Sequence, residues 1–326
     1  MDQPQGCQHD RRAPPRHVGA LAWTPVLPLG RGGRKGGVTT TTIGRVIEIW
    51  RYPFKSMAGE RLEQGAIGPR GLLGDRGWAV RDEHAGEIRG AKKLPALLQC
   101  SARYVIEPEA DRVPPVAISL PDGSGVRSDA PEASVRLSAL LGKPVSVWPL
   151  QPESAVDHYR RAAPDNPDLF AELRDIFGRN PDEPLPDLSV FPPELLQYTS
   201  PLGTYFDAFP LHLLTTASLA LLGGRTPEAD FAVRRFRPNI VVEPVDRTPA
   251  LVENAWCGRA VRIGRVQIKV EMPCVRCVMT TLSQGDLPED PRVLRTIVRD
   301  ADQNLGVYAT VVTPGRVEVG DAVTLD

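Results

Sequence analysis

From Arg265 to Met272 the chain alternates strictly: Val266, Ile268, Val270 and Met272 are apolar, while Arg265, Gln267, Lys269 and Glu271 are polar. A period of two residues puts the apolar set on one face, which specifies a half-buried strand. Pro273 has no N–H to give to a ladder, so the strand is expected to end there. Cys274-Val275-Arg276-Cys277 then falls on a loop at a sheet end, where rigid scaffolds present reactive side chains. The 33 prolines and 29 glycines among 326 residues extend the same constraint to the whole chain. They predict short elements and many turns, a strand-and-barrel architecture rather than a helix bundle.

The cysteine pair has four readings on its residues alone. Structural zinc takes four ligands, usually as two pairs; no second pair is visible, and Cys257 and His212 stand at no supporting spacing. A dithiol redox motif normally opens a helix that lowers the thiol pKa, whereas Val278-Met279-Thr280-Thr281 predicts a second strand. A single thiolate could serve a soft metal, with Arg276 supplying charge beside it. Both cysteines could instead be small core residues.

Thirty-nine basic residues face forty acidic ones, a net charge of −1, so nothing global points to nucleic acid or to an anionic membrane surface. Five scattered cysteines suggest a reducing compartment, hence a cytoplasmic protein, rather than a disulfide framework. No apolar run approaches the roughly 20 residues of a spanning helix.

Residues 1–42 read as a disordered tail in which arginines are mixed with Pro, Gly and a threonine run; a transit peptide or twin-arginine signal is the alternative. Residues 43–150 read as a small β-rich domain. It starts with a strand from Ile43 to Tyr52, turns through Tyr52-Pro53-Phe54-Lys55-Ser56, and continues with Asp75-Arg76 before Trp78 and Val80. Further strands are expected at 101–106, 116–120 and 145–148. A helix is expected over 131–141, capped by Ser128 or Asp129 and stopped by Gly142. Residues 151–190 are proline-rich and read as a connector with one helix over 168–177. Residues 191–326 make a second domain. It has a buried strand over 209–214, a threonine-capped helix stopped at Gly223, and a second helix capped by Thr226 with Pro227 at its first position. Pro238 marks the switch from that helix to a strand, and two short strands flank Gly264. A helix over 291–300 turns Val293, Leu294, Ile297 and Val298 inward, and closing strands cover 308–312 and 317–325.

Lys55, Ser56, Arg76, Thr215, Thr216, Ser218, Arg237, Asn239 and Arg276 all lie at strand ends, turns or helix starts, where arginines and helix N-termini bind anions, phosphate above all. Each alone has a plainer role: Thr215 or Thr216 as a helix cap, Arg76 as the partner of Asp75, Arg237 as a brace. Together with one exposed thiolate they describe a phosphorylated, metal-bearing organic cofactor.

On these residues the chain resembles the MOSC-domain proteins that carry a MOSC N-terminal β-barrel, the arrangement of the mitochondrial amidoxime-reducing component and its bacterial relatives. Tyr52-Pro53-Phe54-Lys55-Ser56, Asp75-Arg76, Phe236-Arg237-Pro238-Asn239-Ile240-Val241, Cys274-Val275-Arg276-Cys277 with Thr280-Thr281, and Val319-Gly320-Asp321 match in order, across residues 43–326. The resemblance implies a β-rich α+β fold, with an N-terminal small barrel and a C-terminal MOSC barrel carrying a few helices. It also implies a molybdenum–molybdopterin cofactor, independence from pyridoxal phosphate, and an N–O reductase acting on N-hydroxylated small molecules. A carrier or sulfur-handling role without turnover is the alternative. By resemblance Cys277 is the metal ligand, and Lys55, Ser56 and Arg76 hold the pterin and its phosphate. Thr215, Thr216, Ser218, Arg237, Asn239 and Arg276 make other cofactor contacts, and Tyr308 lies near the metal. Arg237, Asn239 and Tyr308 are thereby counted with Cys277 in the catalytic set. Electrons are expected from a separate protein: a ferredoxin, a cytochrome b5-like protein or a flavoprotein reductase. The family's Asp-Pro turn after the paired threonines is replaced here by Leu282-Ser283-Gln284-Gly285-Asp286, which bears on substrate choice.

Overall fold

Seven strands close a barrel. The computed structural model describes residues 41–110 and 112–325; the tail expected over 1–42 lies outside the described residues apart from Thr41 and Thr42. Those two already belong to the first strand, β1 (Thr41–Arg51), where they pair with Leu325 and Thr324. The other barrel strands are β2 (Leu211–Thr215), β3 (Ile240–Pro244), β4 (Ala260–Ile263), β5 (Val266–Val275), β6 (Asn304–Thr313) and β7 (Ala322–Leu325). The order around the barrel is β3-β2-β6-β5-β4-β7-β1, and β1 closes it by pairing with β3. Only β2 and β3 run parallel within it. β1 is thus separated from its neighbours β3 and β7 by most of the chain.

The alternating residues behave as their period demands. Val266, Ile268 and Val270 point inward against Val46, Val261 and Val307. Withdrawing each such side chain from water contributes about 1.5–3 kcal/mol. A second core of Phe54, Met57, Trp78, Leu97, Ile118 and Leu137 lies under three-stranded sheets formed by residues 78–149. The strand Gly315–Glu318 pairs with Gln64–Gly68, so the chain's C-terminal part also completes a sheet of its N-terminal part. The fold is β-rich α+β, with six α-helices among the described residues. No helix among them is long and apolar enough to cross a membrane.

Several local expectations are corrected. β5 does not stop at Pro273: it runs to Val275, because the ladder to β6 slips between Val270 and Met272 and again between Pro273 and Val275. Such bulges leave positions where a proline's missing N–H costs nothing. Cys274 is therefore a strand residue and Cys277 lies beyond the strand. Val278–Thr280 is a 3-10 turn rather than a strand, closed by Thr280 Oγ1 donating to the Cys277 carbonyl at 3.0 Å. The helix Pro131–Leu141 starts from Ala130 with no side-chain cap; Ser128 instead accepts from the Val116 N–H, and Asp129 pairs with Arg127. Gly223 does not end its helix, which runs from Thr216 to Arg225. Thr226 closes that helix and bonds Thr296 at 2.6 Å; the next helix is only Val233–Phe236. In the helix Pro291–Asp300 it is Thr296, not Val298, that joins the buried face.

Candidate functional site

Seven short segments converge beside the barrel: the turn after β1, the loops at 74–77 and 90–93, the approaches to β2 and β3, the end of β5, and the start of β6. Backbone strain marks the place. Five described non-glycine residues have positive φ: Ser56 (70°), Arg76 (51°), Arg237 (54°), Asp302 (45°) and Gln303 (68°). Three of them are site residues expected from the sequence. Left-handed non-glycine backbone is uncommon and gathers where a site dictates the geometry.

Tyr52 is the pivot. Its ring is buried, with the Arg237 guanidinium carbon 4.1 Å and that of Arg76 5.1 Å from the ring centroid. The attraction between cation and π-face lets two like charges share one ring. Arg76 also pairs with Asp75; burial would depress it, but the carboxylate outweighs burial and raises it. Arg237 has no such partner. Its Nη1 donates to the Met57 carbonyl at 2.6 Å, and its buried Nη2 has no hydrogen-bond partner. Burial, then Arg76, pulls it down to about 10.

Next to these arginines lies a lysine pair that shares one carboxylate. Lys55 Nζ donates to Asp207 at 2.8 Å and to the Tyr205 carbonyl at 2.7 Å; Lys92 Nζ lies 3.0 Å from the other Asp207 oxygen. Burial lowers Lys55. For Lys92, burial is outweighed by Asp207 and by a thiolate at Cys277, and its pKa rises. For Asp207, crowding by the surrounding atoms, felt although 46% of the side chain reaches solvent, is outweighed by the two ammoniums, and the carboxyl sits well below its ordinary range. Ser56 Oγ accepts from the Ala91 N–H at 2.9 Å, which fastens the lysine turn. A Cβ at Gly90 would meet that oxygen at 2.7 Å, so only glycine permits the approach. Lys92 and Asp207 carried no sequence signal. One sits in an ordinary Ala-Lys-Lys turn and the other in an irregular loop, and only the fold brings them to Lys55.

Cys277 is half-buried at the start of the 3-10 turn, whereas Cys274 is buried against the Tyr308 hydroxyl, and burial raises its thiol. Tyr308 stacks on Phe209 with ring centroids 5.1 Å apart. Arg276 turns inward. It donates to the Leu305 carbonyl from Nε at 2.9 Å and to the Phe236 carbonyl from Nη1 at 3.1 Å, and its Nη2 meets His212 Nε2 at 2.5 Å. A Cβ at Gly306 would lie 2.3 Å from His212 Nε2, so this brace also depends on a glycine. Asn239 is likewise committed: its Nδ2 donates to the Trp50 carbonyl at 3.3 Å and its Oδ1 accepts from the His212 N–H at 3.1 Å. Thr215 and Ser218 stand apart from the basic group, at the far end of β2. Both hydroxyls donate to Glu253 Oε2, at 2.7 and 2.6 Å, and Thr215 caps the helix that Thr216 begins. Three strand residues from His212 to Thr215 span about 10 Å. A cleft of about 230 Å³ opens over Tyr52 and Arg237, walled by Trp50, Gln99, Cys100 and Gln284.

Four cations, Lys55, Arg76, Lys92 and Arg237, thus face two carboxylates, with a half-exposed thiol at the margin. Chemically this is an anion-binding basin that can also offer one soft ligand. Among the described residues no group of three or more His, Cys, Asp or Glu could hold a metal ion by itself.

The chain is a MOSC-domain protein with a MOSC N-terminal β-barrel domain: the family model for the MOSC N-terminal beta barrel domain matches residues 43–157 and that for the MOSC domain matches residues 203–324. It is 26% identical to the mitochondrial amidoxime-reducing component 1 of Homo sapiens over 341 residues, covering 94% of this chain and 89% of that protein. It is 28% identical to the molybdenum cofactor sulfurase of Anopheles gambiae over 286 residues, covering 82% of this chain but only 34% of the sulfurase. Among solved structures, the YUAD protein from Bacillus subtilis superposes with a TM-score of 0.40 at 10% identity, covering 88% of this chain and 97% of that one.

Proposed function

We propose that this protein binds the molybdenum–molybdopterin cofactor and reduces N–O bonds of N-hydroxylated small molecules, with electrons from a separate donor protein. The observation that carries the reading is the unpartnered, buried Nη2 of Arg237 in a basin bordered by the Cys277 thiol. A buried donor without a partner costs about 1–3 kcal/mol, and an anionic ligand would relieve it. The residues present fit the cofactor: Lys55, Arg76, Lys92 and Arg237 suit its phosphate and polar pterin edge, and Cys277 suits a soft metal. When bound, the group supplies two-electron redox chemistry at molybdenum.

The chain's own contributions follow from the geometry. Asp207 holds Lys55 and Lys92 together and is displaceable, being 46% exposed at the basin's mouth. Ser56 fixes the turn that carries Lys92. Arg276, His212 and Asn239 tie β1, β2, β3 and β6 together behind the thiol, and Thr215 and Ser218 anchor the following helix through Glu253. Tyr308 packs beside Cys274. Cleavage of an N–OH bond takes two electrons and two protons and releases water. The Lys92 ammonium, 29% exposed and raised by the Asp207 carboxylate, is a protonated group open to the mouth.

The likeness to a molybdenum cofactor sulfurase favours a second reading, a protein that holds the cofactor without reductive turnover. One experiment separates them: protein expressed with cofactor supply is assayed for molybdenum by mass spectrometry and for reduction of an N-hydroxylated amidine driven by a reduced viologen dye. The reductase reading requires stoichiometric molybdenum and turnover. Cys277→Ser is expected to abolish turnover, at least a hundredfold, and Cys274→Ser to keep most of it; Arg237→Lys is expected to lower cofactor occupancy in folded protein, because it keeps charge but loses the planar fork. Metal without turnover supports the carrier, and equal loss in both cysteine variants sinks the single-ligand assignment.

A further inference from the structure

We propose that Arg179, from the segment between the two family-matched regions, is a positioning residue for Cys277: it holds the peptide that carries the cysteine and places a positive charge beside its sulfur. The inference rests on the reading of Cys277 as the functional thiol.

The segment is built onto the site rather than looped past it. Its helix Leu169–Phe177 is capped by Asp168, which accepts from the Phe170 and Ala171 N–H groups, and ends at Gly178. That glycine is seated on the residue after Cys277: a Cβ there would lie 3.2 Å from Val278 Cα. The segment is fastened by ion pairs of Lys93 with Glu172 and Arg295 with Glu183, and by Arg89 to Asp165 at 2.6 Å.

Arg179 then turns inward and is 5% exposed. Nη2 donates to the Arg276 carbonyl at 2.9 Å, which is the carbonyl of the peptide bond to Cys277. Nε donates to Gln303 Oε1 at 3.0 Å, and Nη1 to the Phe177 carbonyl at 2.5 Å. Gln303 is itself left-handed, and its carbonyl accepts from the Arg276 N–H at 2.9 Å. One planar fork therefore joins the connector, the strained start of β6 and the cysteine loop, a geometry a lysine cannot reproduce.

The charge balance makes the same point. Among the described residues, no carboxylate lies within ion-pairing distance of Arg179, and a buried cation without a counter-charge is costly. Burial, then Arg295, pulls its pKa down to about 10.

The test compares alkylation of Cys277 by anionic iodoacetate and neutral iodoacetamide, in the full chain before cofactor loading. Trypsin cleaves after Arg276, so Cys277 is read on a different peptide from Cys274. The ratio of the two rates reports positive charge at the sulfur and cancels general loosening, which speeds both reagents. R179Q is expected to lower the ratio about fourfold, the effect of one charge at short range in a high-dielectric setting. R179K is expected to hold it within twofold. R174A, which removes a connector contact to the Asn180 and Glu183 carbonyls, is expected to leave it unchanged. An unchanged ratio in R179Q, or a fall in R179K as large as that expected for R179Q, overturns the proposal, and R179M, expected to lower the ratio as R179Q does, takes its place should R179Q not fold. Molybdenum content of Cys277→Ser is measured beside it: metal retained there defeats the cofactor reading while the alkylation ratio still judges Arg179.

Discussion

Strand β2 has a carboxyl group near each end, and the two are held in opposite ways. Beyond its C-terminal end Glu253 is fully buried; one oxygen accepts the Thr215 and Ser218 hydroxyls and the other has no partner. Burial is the larger influence and raises its pKa, with the two hydroxyls opposing. Before its N-terminal end Asp207 stands at an open mouth between two ammoniums, and its pKa is driven down. A carboxyl pushed toward its neutral form among hydroxyls is scaffold, since nothing can reach it and no charge awaits exchange. An ionised carboxylate amid excess cations, in reach of solvent, is a placeholder that another anion can replace. The contrast separates two sets of residues that looked alike as polar groups at strand ends.

The largest expected way to sharpen this comparison is at the closed end. E253L removes the acceptor that Thr215 and Ser218 share, leaving them the longer bonds from Thr215 to Ser218 and from Ser218 to the Ala250 carbonyl, and is expected to cost about 2 kcal/mol of stability. E253Q keeps an acceptor and is expected to cost under about 1 kcal/mol. Urea unfolding of the two variants measures both, and equal losses would mean that Glu253 is ionised and that the contrast with Asp207 is wrong.

A smaller effect belongs to His212, midway between the two groups. Burial, then Arg276, holds its imidazole well below 6.5. The unfolded chain protonates it near pH 6.5, so between that value and the folded pKa the unfolded state binds more protons. Stability therefore falls as pH drops below about 6.5. Between pH 7.5 and 5 the loss from this group is expected to reach about 2 kcal/mol. H212N is expected to be less stable at pH 7.5 but to show a flatter pH dependence; an unchanged slope would assign the acid sensitivity elsewhere.

The smallest effect tests the placeholder itself. D207N removes the carboxylate that competes for Lys55 and Lys92. It is expected to tighten binding of inorganic phosphate about threefold by calorimetry, a modest gain because the mouth is solvated. Weaker phosphate binding in D207N would show that Asp207 organises the lysines rather than occupying their site. Below about pH 4 the unfolded chain takes up a proton that folded Asp207 refuses, so the wild type is expected to lose stability there more steeply than D207N.

What could be read from the residues was mostly periodic or chemical. Alternation in 265–272 named β5, the Pro131-to-Gly142 pattern named a helix to the residue, and the order of short motifs named the family. These signals are local, because side-chain period and turn chemistry act over a few neighbours. Three things were settled only by the tertiary structure. Pro273 stayed inside a strand because the partner strand slipped register around it. Val278–Thr280 became a 3-10 turn against its β-branched composition because threonine hydroxyls and the connector closed it. The division of polar residues into a basin of Lys55, Arg76, Lys92, Arg237 and Asp207, and braces of Arg276, Asn239, Thr215 and Ser218, depends on which guanidinium or hydroxyl meets which carbonyl or carboxylate. Those pairings span from 3 to 189 positions in the chain, from Thr215 with Ser218 to Trp50 with Asn239. No local pattern encodes them, since burial and charge at each group are created by segments that only folding brings together.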